Sequence, residues 1–282
     1  MIDLHTHSTA SDGSLTPARL IEEAANQGLS AIALTDHDTI DGLEEAKQEA
    51  DKRGIRFIPG VELEIRQAGT APPGEFHLLG LGLTRPTRAF LTTIKELSRL
   101  REERNLKILD RMHELNINAT YEDIQALSGG HSVGRPHFAA LLVKRRIVKD
   151  REQAFSYYLG KGKPLYEPKA GLEFKRAVEI IKDSGGIAVL AHPMSLYVAW
   201  GRLPDLVRNL KSQGLDGIEA WHPTAKVRSC RRLEELGKSL DLFITAGSDF
   251  HGEARPDRKM GFTAGGRKIE EAVLERIPPL TL

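Results

Sequence analysis

Apolar residues fall along this chain in short runs separated by amphipathic stretches. Ile2, Leu4 and Thr6 alternate with Asp3, His5 and His7, the period of a strand whose side chains point to two faces. Thr16-Pro17 reads as an N-cap with proline at the first helical position. Leu20, Ile21, Ala24 and Ala25 form an apolar stripe behind it, and Gly28 ends that helix. Residues 31–35 predict a buried strand that runs into Asp36-His37-Asp38. A second helix follows, expected to be capped by Asp41 and closed near Gly54. Strands are expected over 57–62 and 76–81, with 67–74 between them as a loop or exposed hairpin tip.

The rhythm then changes. Between about 87 and 165 no buried strand is expected. Residues 87–115 have helical periodicity and many charges, 121–127, 136–147 and 151–158 read as shorter helices, and Gly129-Gly130 and 160–164 read as connectors. Strand and helix alternate again afterwards. Helices are expected over 172–184, 203–213 and 224–239, and strands over 187–191, 217–221 and 242–246; the tail from Lys268 holds one short helix and an apolar end. This pattern gives a discontinuous main domain, 1–86 and 166–282, with a helical insertion at 87–165. Repeated strand–helix units imply an α/β fold with a mainly parallel sheet. About seven strands suit a closed or nearly closed barrel, with an open doubly wound sheet as the alternative. No GxGxxG turn follows the first strand, so a dinucleotide site is not indicated.

Composition narrows the function classes. A net charge of +1 over 282 residues leaves no broad basic field for duplex DNA. The lone Cys230 excludes an internal disulfide framework and suits a reducing cytoplasm. The opening lacks a basic segment followed by an apolar run, so no signal peptide is expected. No apolar run is long enough to span a membrane.

The histidines matter for where they fall. In a parallel α/β domain functional side chains gather at the carboxyl ends of strands. His5, His7, His37, Glu62, His77, His192, Asp249 and His251 lie at or near such ends, and Asp12 sits in the turn that Gly13 eases. Imidazole and carboxylate without thiolate suit Mn²⁺, Zn²⁺ or Fe²⁺, and nine such groups exceed what one ion needs. A multi-metal site generates hydroxide near neutral pH and neutralises oxyanions, which fits phosphoester or amide hydrolysis. His77, placed mid-strand, has the alternative of a hydrogen-bonded core histidine.

His5-Thr6-His7 with Ser11-Asp12-Gly13, Thr35-Asp36-His37-Asp38, Gly60-Val61-Glu62, Ala191-His192-Pro193 and Gly247-Ser248-Asp249-Phe250-His251 together resemble the PHP family, named for polymerase and histidinol phosphatase. The resemblance implies a distorted (β/α)₇ barrel with a trinuclear metal site. By that pattern His5, His7, Glu62 and Asp249 hold one ion, Asp12, His37 and His251 a second, and Glu62, His77 and His192 a third, with Glu62 bridging. The insertion and its Gly134-Arg135-Pro136-His137 segment most resemble the branch with 3′,5′-nucleoside bisphosphate phosphatases, some of whose members are 5′→3′ exoribonucleases on 5′-monophosphorylated RNA. That implies one phosphate over the metals and another held by arginines. Arg101 and Arg104, at i and i+3 on one helix face, and Arg135 and His137 at a helix start are the candidates. Lys144, Arg145 and Arg146 are expected in solvent, as are His113 and His131.

Asp38 could move a proton for the leaving oxygen or orient water, with a turn or capping acid as its alternative; His222 could act as an acid at the rim, and Glu64 could orient a ligand histidine. The expected reaction is metal-dependent in-line hydrolysis, by a metal-bound hydroxide, of the 3′-phosphate of a bisphosphonucleotide or of a short 5′-phosphorylated RNA. Three divalent ions, Mn²⁺ first, would serve it. A histidinol-phosphate phosphatase, a polymerase-associated module and a nucleotide-binding module without turnover are the alternatives.

Overall fold

The computed structural model describes residues 1–66, 72, 74–128, 133–168, 170–277 and 280. Of the loop expected at 67–74 only residues 72 and 74 are among them, and Gly129, Gly130 and His131 lie outside. Seven strands follow one another in space in the order of the sequence: β1 (Ile2–Asp3), β2 (Ala31–Leu34), β3 (Arg56–Glu64), β4 (His77–Leu81), β5 (Ile187–Leu190), β6 (Gly217–Trp221) and β7 (Phe243–Ala246). A parallel bridge between Thr6 and Phe250 joins the chain beyond β1 to the chain beyond β7, so the sheet is nearly closed into a barrel. Helices α1 (Pro17–Asn26), α2 (Leu43–Arg53), α3 (Arg88–Glu114), α4 (Tyr121–Gln125), α5 (Arg135–Lys144), α6 (Arg151–Ala154), α7 (Phe174–Asp183), α8 (Leu203–Ser212), α9 (Val227–Ser239) and α10 (Ala272–Glu275) surround it.

Local chemistry set most of these boundaries. Thr16 accepts a hydrogen bond from the Arg19 amide at the start of α1, and Gly54 ends α2 in a left-handed conformation. Asp41 does not cap α2. Gly42 holds that position without a side-chain bond, and the Asp41 amide is itself held by Thr39 Oγ1 at 3.2 Å. A short hairpin, β8 (Phe262–Thr263) with β9 (Arg267–Lys268), also lies in the stretch that carried no expected element.

One strand runs against the others in this mainly parallel sheet. β4 pairs antiparallel with both β3 and β5, while the other pairings within the barrel are parallel. The alternation at the amino terminus is also interrupted. Ile2 and Leu4 pack in one cluster with Ala31, Ala33, Leu79 and Val189, whereas Thr6 pairs with Phe250, which packs with the α1 and α2 helices instead.

The core follows the two faces of the sheet. Alternate residues of β2, β4 and β5 join Ile269, Leu274, Ile277 and Leu280 in one cluster, so the C-terminal segment packs against the barrel interior. The opposite faces pack on helices: Ile32 and Leu34 on α1 and α2, Leu78, Leu190 and Ile218 on α7, α8 and α9. The 27-residue helix α3 bridges two cores, being about 40 Å long at 1.5 Å per residue. Phe90, Ile94 and Leu97 pack with the barrel cluster. Ile108, Leu109 and Met112 pack with Phe138, Leu142 and Leu159 in a separate cluster that draws only on residues 108–165.

Candidate metal centre and its cavity

His5, His7, Asp249 and His251 come from the two chain segments joined by the Thr6–Phe250 bridge. His5 Nε2 lies 3.1 Å from His7 Nε2, and both lie within 3.5 Å of Asp249 Oδ1. Close approach there requires Gly247: a Cβ on it would stand 2.3 Å from His5 Cβ and 2.6 Å from Glu219 Oε1. Asp12 Oδ1 is 3.2 Å from His251 Nε2 and 3.9 Å from His37 Nε2. The loop carrying Asp12 is held by Asp36, which accepts from the Ser8 amide and from the Ser8 and Ser11 hydroxyls at 2.8, 2.6 and 2.5 Å.

Glu62 occupies the middle. Its Oε1 is 2.9 Å from His77 Nδ1 and 2.8 Å from His192 Nε2; its Oε2 is 3.0 Å from His37 Nδ1, 3.3 Å from His7 Nε2 and 3.4 Å from His5 Nε2. His77 reaches this point because β4 runs antiparallel. The first residue of that strand is thereby level with the last residues of its neighbours, and the mid-strand position expected from sequence becomes a rim position. Its Nε2 lies 2.7 Å from Glu64 Oε2, as a carboxylate that orients a ligand histidine would.

Three overlapping groups result, each with its donor atoms within 4.8 Å of one another: His5, His7, Glu62 and Asp249; His7, Asp12, His37 and His251; and His37, Glu62 and His77. The first is the expected set. The second adds His7, and the third holds His37 where His192 was expected, although His192 Nε2 is 3.2 Å from His77 Nδ1. Glu62 Oε2 is buried and makes no hydrogen bond, yet three imidazole nitrogens converge on it. Lone pairs aimed at a common point fit divalent cations better than they fit one another.

The electrostatics favour the same reading. Burial alone would raise the pKa of Glu62, but the His37, His77 and His5 rings and the His192 contact hold it well below its ordinary value. Burial is likewise outweighed at Asp12 by His251 and His37, and at Asp249 by His5 and His251. All three carboxyls are thus ionised at neutral pH. Asp38, His192 and Asp249 have left-handed φ values of 52°, 26° and 52°. Non-glycine residues in that region cost about 1–3 kcal/mol each, and such strain collects at functional sites.

Two neighbours of the cluster carried no sequence expectation. Glu219, fully buried, faces His5 Nδ1 with Oε1 at 3.0 Å and accepts from the His192 amide with Oε2 at 2.7 Å. A charged residue inside the apolar strand 217–221 is the signal that could have found it. Arg258, also buried, donates from Nη1 to Asp249 Oδ2 at 2.7 Å and to His222 Nε2 at 3.1 Å. His222 Nδ1 is 2.7 Å from Thr224 Oγ1, and burial pushes its pKa down, so His222 stands as a neutral acceptor.

Seven of the nine expected ligands, all but the fully buried His5 and His7, line a cavity of about 770 Å³. Arg101, Arg104 and Arg135 line its wall. Arg101 forms an ion pair with Asp38 Oδ2, while Asp38 Oδ1 accepts from the Glu64 amide at 3.0 Å, so both carboxylate oxygens of Asp38 are engaged. Arg104 is buried, its Nε has no hydrogen-bond partner, and it forms no ion pair among the described residues. Burial, with the Arg101 and Arg135 charges beside it, brings its pKa down to about 9. His137 is not among the lining residues: its Nδ1 accepts from the Gly134 amide at 2.9 Å and caps α5. Arg145 is turned away toward Asp123, 2.8 Å off, and His113 lies 2.7 Å from Ala119 O.

A nearly closed seven-stranded barrel with a histidine–carboxylate cluster at the strand ends and a basic wall above it defines a class of metal-dependent phosphoesterases. The PHP domain model matches residues 3–184 of this chain. The chain is 35% identical over 249 residues to a 5′-3′ exoribonuclease of Haemophilus influenzae, covering 88% of this chain and 89% of that protein. It is 32% identical over 263 residues to the 3′,5′-nucleoside bisphosphate phosphatase of Chromobacterium violaceum, covering 93% and 91%. Among solved structures, a candidate metal-dependent phosphoesterase from Bifidobacterium adolescentis superposes with a TM-score of 0.86 at 25% identity, covering 99% of this chain and 96% of that one. The chain belongs to the PHP domain family and is, with these relatives, a phosphoric ester hydrolase.

Proposed function

We propose that this enzyme hydrolyses a phosphate ester adjacent to a second phosphate, in a 3′,5′-bisphosphonucleotide or a short 5′-phosphorylated RNA. The observation that carries the reading is the pairing, in one cavity, of the histidine–carboxylate cluster with the Arg101, Arg104 and Arg135 wall. The relatives described as a 5′-3′ exoribonuclease and a 3′,5′-nucleoside bisphosphate phosphatase support it.

His5, His7, Glu62 and Asp249 would hold one ion, Asp12, His37 and His251 a second, and Glu62, His77 and His192 a third, with Glu62 shared. Mn²⁺ is our first candidate. Bound there, such ions lower the pKa of a water and neutralise charge on phosphoryl oxygens. Glu219 fixes the His5 ring with its Nε2 toward the site, Glu64 does the same for His77, and Arg258 keeps the outer oxygen of Asp249 occupied. Arg104 and Arg135 bind the second phosphate through their guanidinium forks and so orient the ester above the cluster. Asp38 positions Arg101 for the same task. In this reading 87–165 is an insertion that supplies the basic wall to the barrel formed by 1–86 and 166–282.

A monoester such as histidinol phosphate has no second anion for that wall, which argues against the histidinol-phosphatase alternative. Among the described residues no helix is long and apolar enough to cross a membrane, and the one cysteine is buried and unpaired; a cytoplasmic enzyme fits both. The test is phosphate or nucleotide release from 3′,5′-bisphosphoadenosine, histidinol phosphate and a 5′-phosphorylated RNA trimer, each with Mn²⁺ and with chelator. Hydrolysis of histidinol phosphate alone would overturn the substrate assignment.

A further inference from the structure

The arginines of the cavity fall into two sets. Arg101, Arg104 and Arg135 come from α3 and α5. Arg151 opens α6, Arg255 follows the short turn Gly252–Ala254 beyond β7, and both also line the cavity. Arg151 donates from Nη1 to Ala254 O at 2.9 Å, which ties the two segments together. Its guanidinium lies 5.5 Å from the centre of the Phe155 ring, and that of Arg135 lies 6.0 Å from the same centre, so Phe155 is the common neighbour of the two sets. Phe155 opens a π-helical turn (Phe155–Leu159) in which Gly160 N bonds back to Phe155 O at 2.8 Å; such wide turns recur at functional sites.

The charges of the second set are not spent on carboxylates. Among the described residues neither Arg151 nor Arg255 forms an ion pair, and Arg255 Nε is buried without a hydrogen-bond partner. Burial and the adjacent Arg255 charge bring the pKa of Arg151 down to about 10, against the pull of Asp12, Asp257 and Glu75. Asp257 is itself 3.2 Å from Arg258 Nε. Two guanidiniums held together against their repulsion, with donors left over and a cavity in front, present the geometry that an oxyanion relieves.

We infer that Arg151 and Arg255 form a second anion subsite, which takes the phosphodiester following the scissile one in a short single-stranded RNA. This rests on the phosphoesterase reading above and narrows it. A bisphosphonucleotide has two phosphates, one for the histidine–carboxylate cluster and one for the Arg101 set. A 5′-phosphorylated dinucleotide also has two. A 5′-phosphorylated trinucleotide has three, and the third falls to Arg151 and Arg255.

The test compares kcat/KM on the 5′-phosphorylated dimer and trimer, with Mn²⁺, for the natural enzyme and the double variant Arg151→Gln, Arg255→Gln. The trimer should exceed the dimer by about tenfold in the natural enzyme, as charge-assisted contacts to one phosphate provide. That ratio should fall toward one in the double variant and return in part with Arg151→Lys, Arg255→Lys. Equal rates on dimer and trimer in the natural enzyme, or equal losses on both in the variant, would overturn the inference. Anisotropy of a labelled 5′-phosphorylated trimer in EDTA reads the same contact without turnover. The double variant should bind about tenfold more weakly, with a dependence of log affinity on log salt shallower by about 0.7, the value for one phosphate. Unchanged binding would reject the subsite whatever the activity; loss of Mn²⁺-dependent hydrolysis of every substrate by the natural enzyme would instead reject the underlying reading.

Discussion

Glu219→Gln changes one oxygen to an amide and leaves the shape of the side chain intact. The two carboxylate oxygens serve different donors: Oε1 faces His5 Nδ1 at 3.0 Å, and Oε2 accepts from the His192 amide at 2.7 Å. A glutamine can offer its oxygen to only one of them. If its oxygen stays on the His192 amide, its NH₂ meets His5 Nδ1–H, and the ring must move its proton to Nε2, the nitrogen that faces His7, Glu62 and Asp249. If the amide flips, two N–H groups collide at His192. Either way one charge-assisted bond is lost at a fully buried site, about 1.5–3 kcal/mol. Loss of a carboxylate that orients a ligand histidine lowers metal affinity about 10–100-fold, or roughly 1.4–2.7 kcal/mol, which agrees with that range. The measurement is a Mn²⁺ titration followed by calorimetry and by activity, with a thermal melt to show that the variant is folded. A folded Glu219→Gln protein whose Mn²⁺ affinity stays within twofold of the natural one would refute the argument.

Four further outcomes are expected. Chelation should abolish hydrolysis and lower the melting temperature, because Mn²⁺ at a hundredfold excess over its Kd adds about 2.7 kcal/mol to the folded state; a melt indifferent to chelator would count against the cluster as a metal centre. Arg104 is buried beside the cavity with its Nε unpaired, so a second phosphate is the partner its charge lacks. Arg104→Gln should therefore raise KM for a substrate with a second phosphate by about tenfold at neutral pH, and an unchanged KM would remove Arg104 from phosphate binding. Arg135→Ala should raise KM for the bisphosphonucleotide more than for p-nitrophenyl phosphate, which lacks a second anion; equal effects on both would remove Arg135 from phosphate binding. Phe90, fully buried where α3 meets the barrel, should cost about 3–5 kcal/mol on truncation to alanine in chemical denaturation, since both transfer and cavity terms apply.

Much of this molecule can be read from local pattern. Thr16-Pro17 and Gly54 mark helix ends through their own side-chain and backbone preferences, and the apolar period identifies α3 within a residue at each end. Ligand-type residues at strand ends name the floor of the cavity before any folding is considered, because parallel strands all finish on one side. Where Asp41 misled, the helix starts one residue later, with Gly42 at the N-cap and no side-chain cap.

What the chain could not declare by itself was direction and long-range partnership. A strand period of two is the same whichever way the strand runs, so the run around His77 is silent on direction, and the 67–74 segment, readable as a loop or a hairpin tip, only hints at it; pairing with β3 and β5 decides that β4 is antiparallel and carries His77 to the rim. Glu219 and Arg258 acquire their roles only when β6 and the segment after β7 fold against His5 and Asp249. Arg104 and Arg135 lie on different helices and become neighbours through the packing of 108–165 onto itself. Periodicity reports the environment of each residue on its own element, whereas these contacts depend on which elements meet, and that is settled by the energy of the whole packed core.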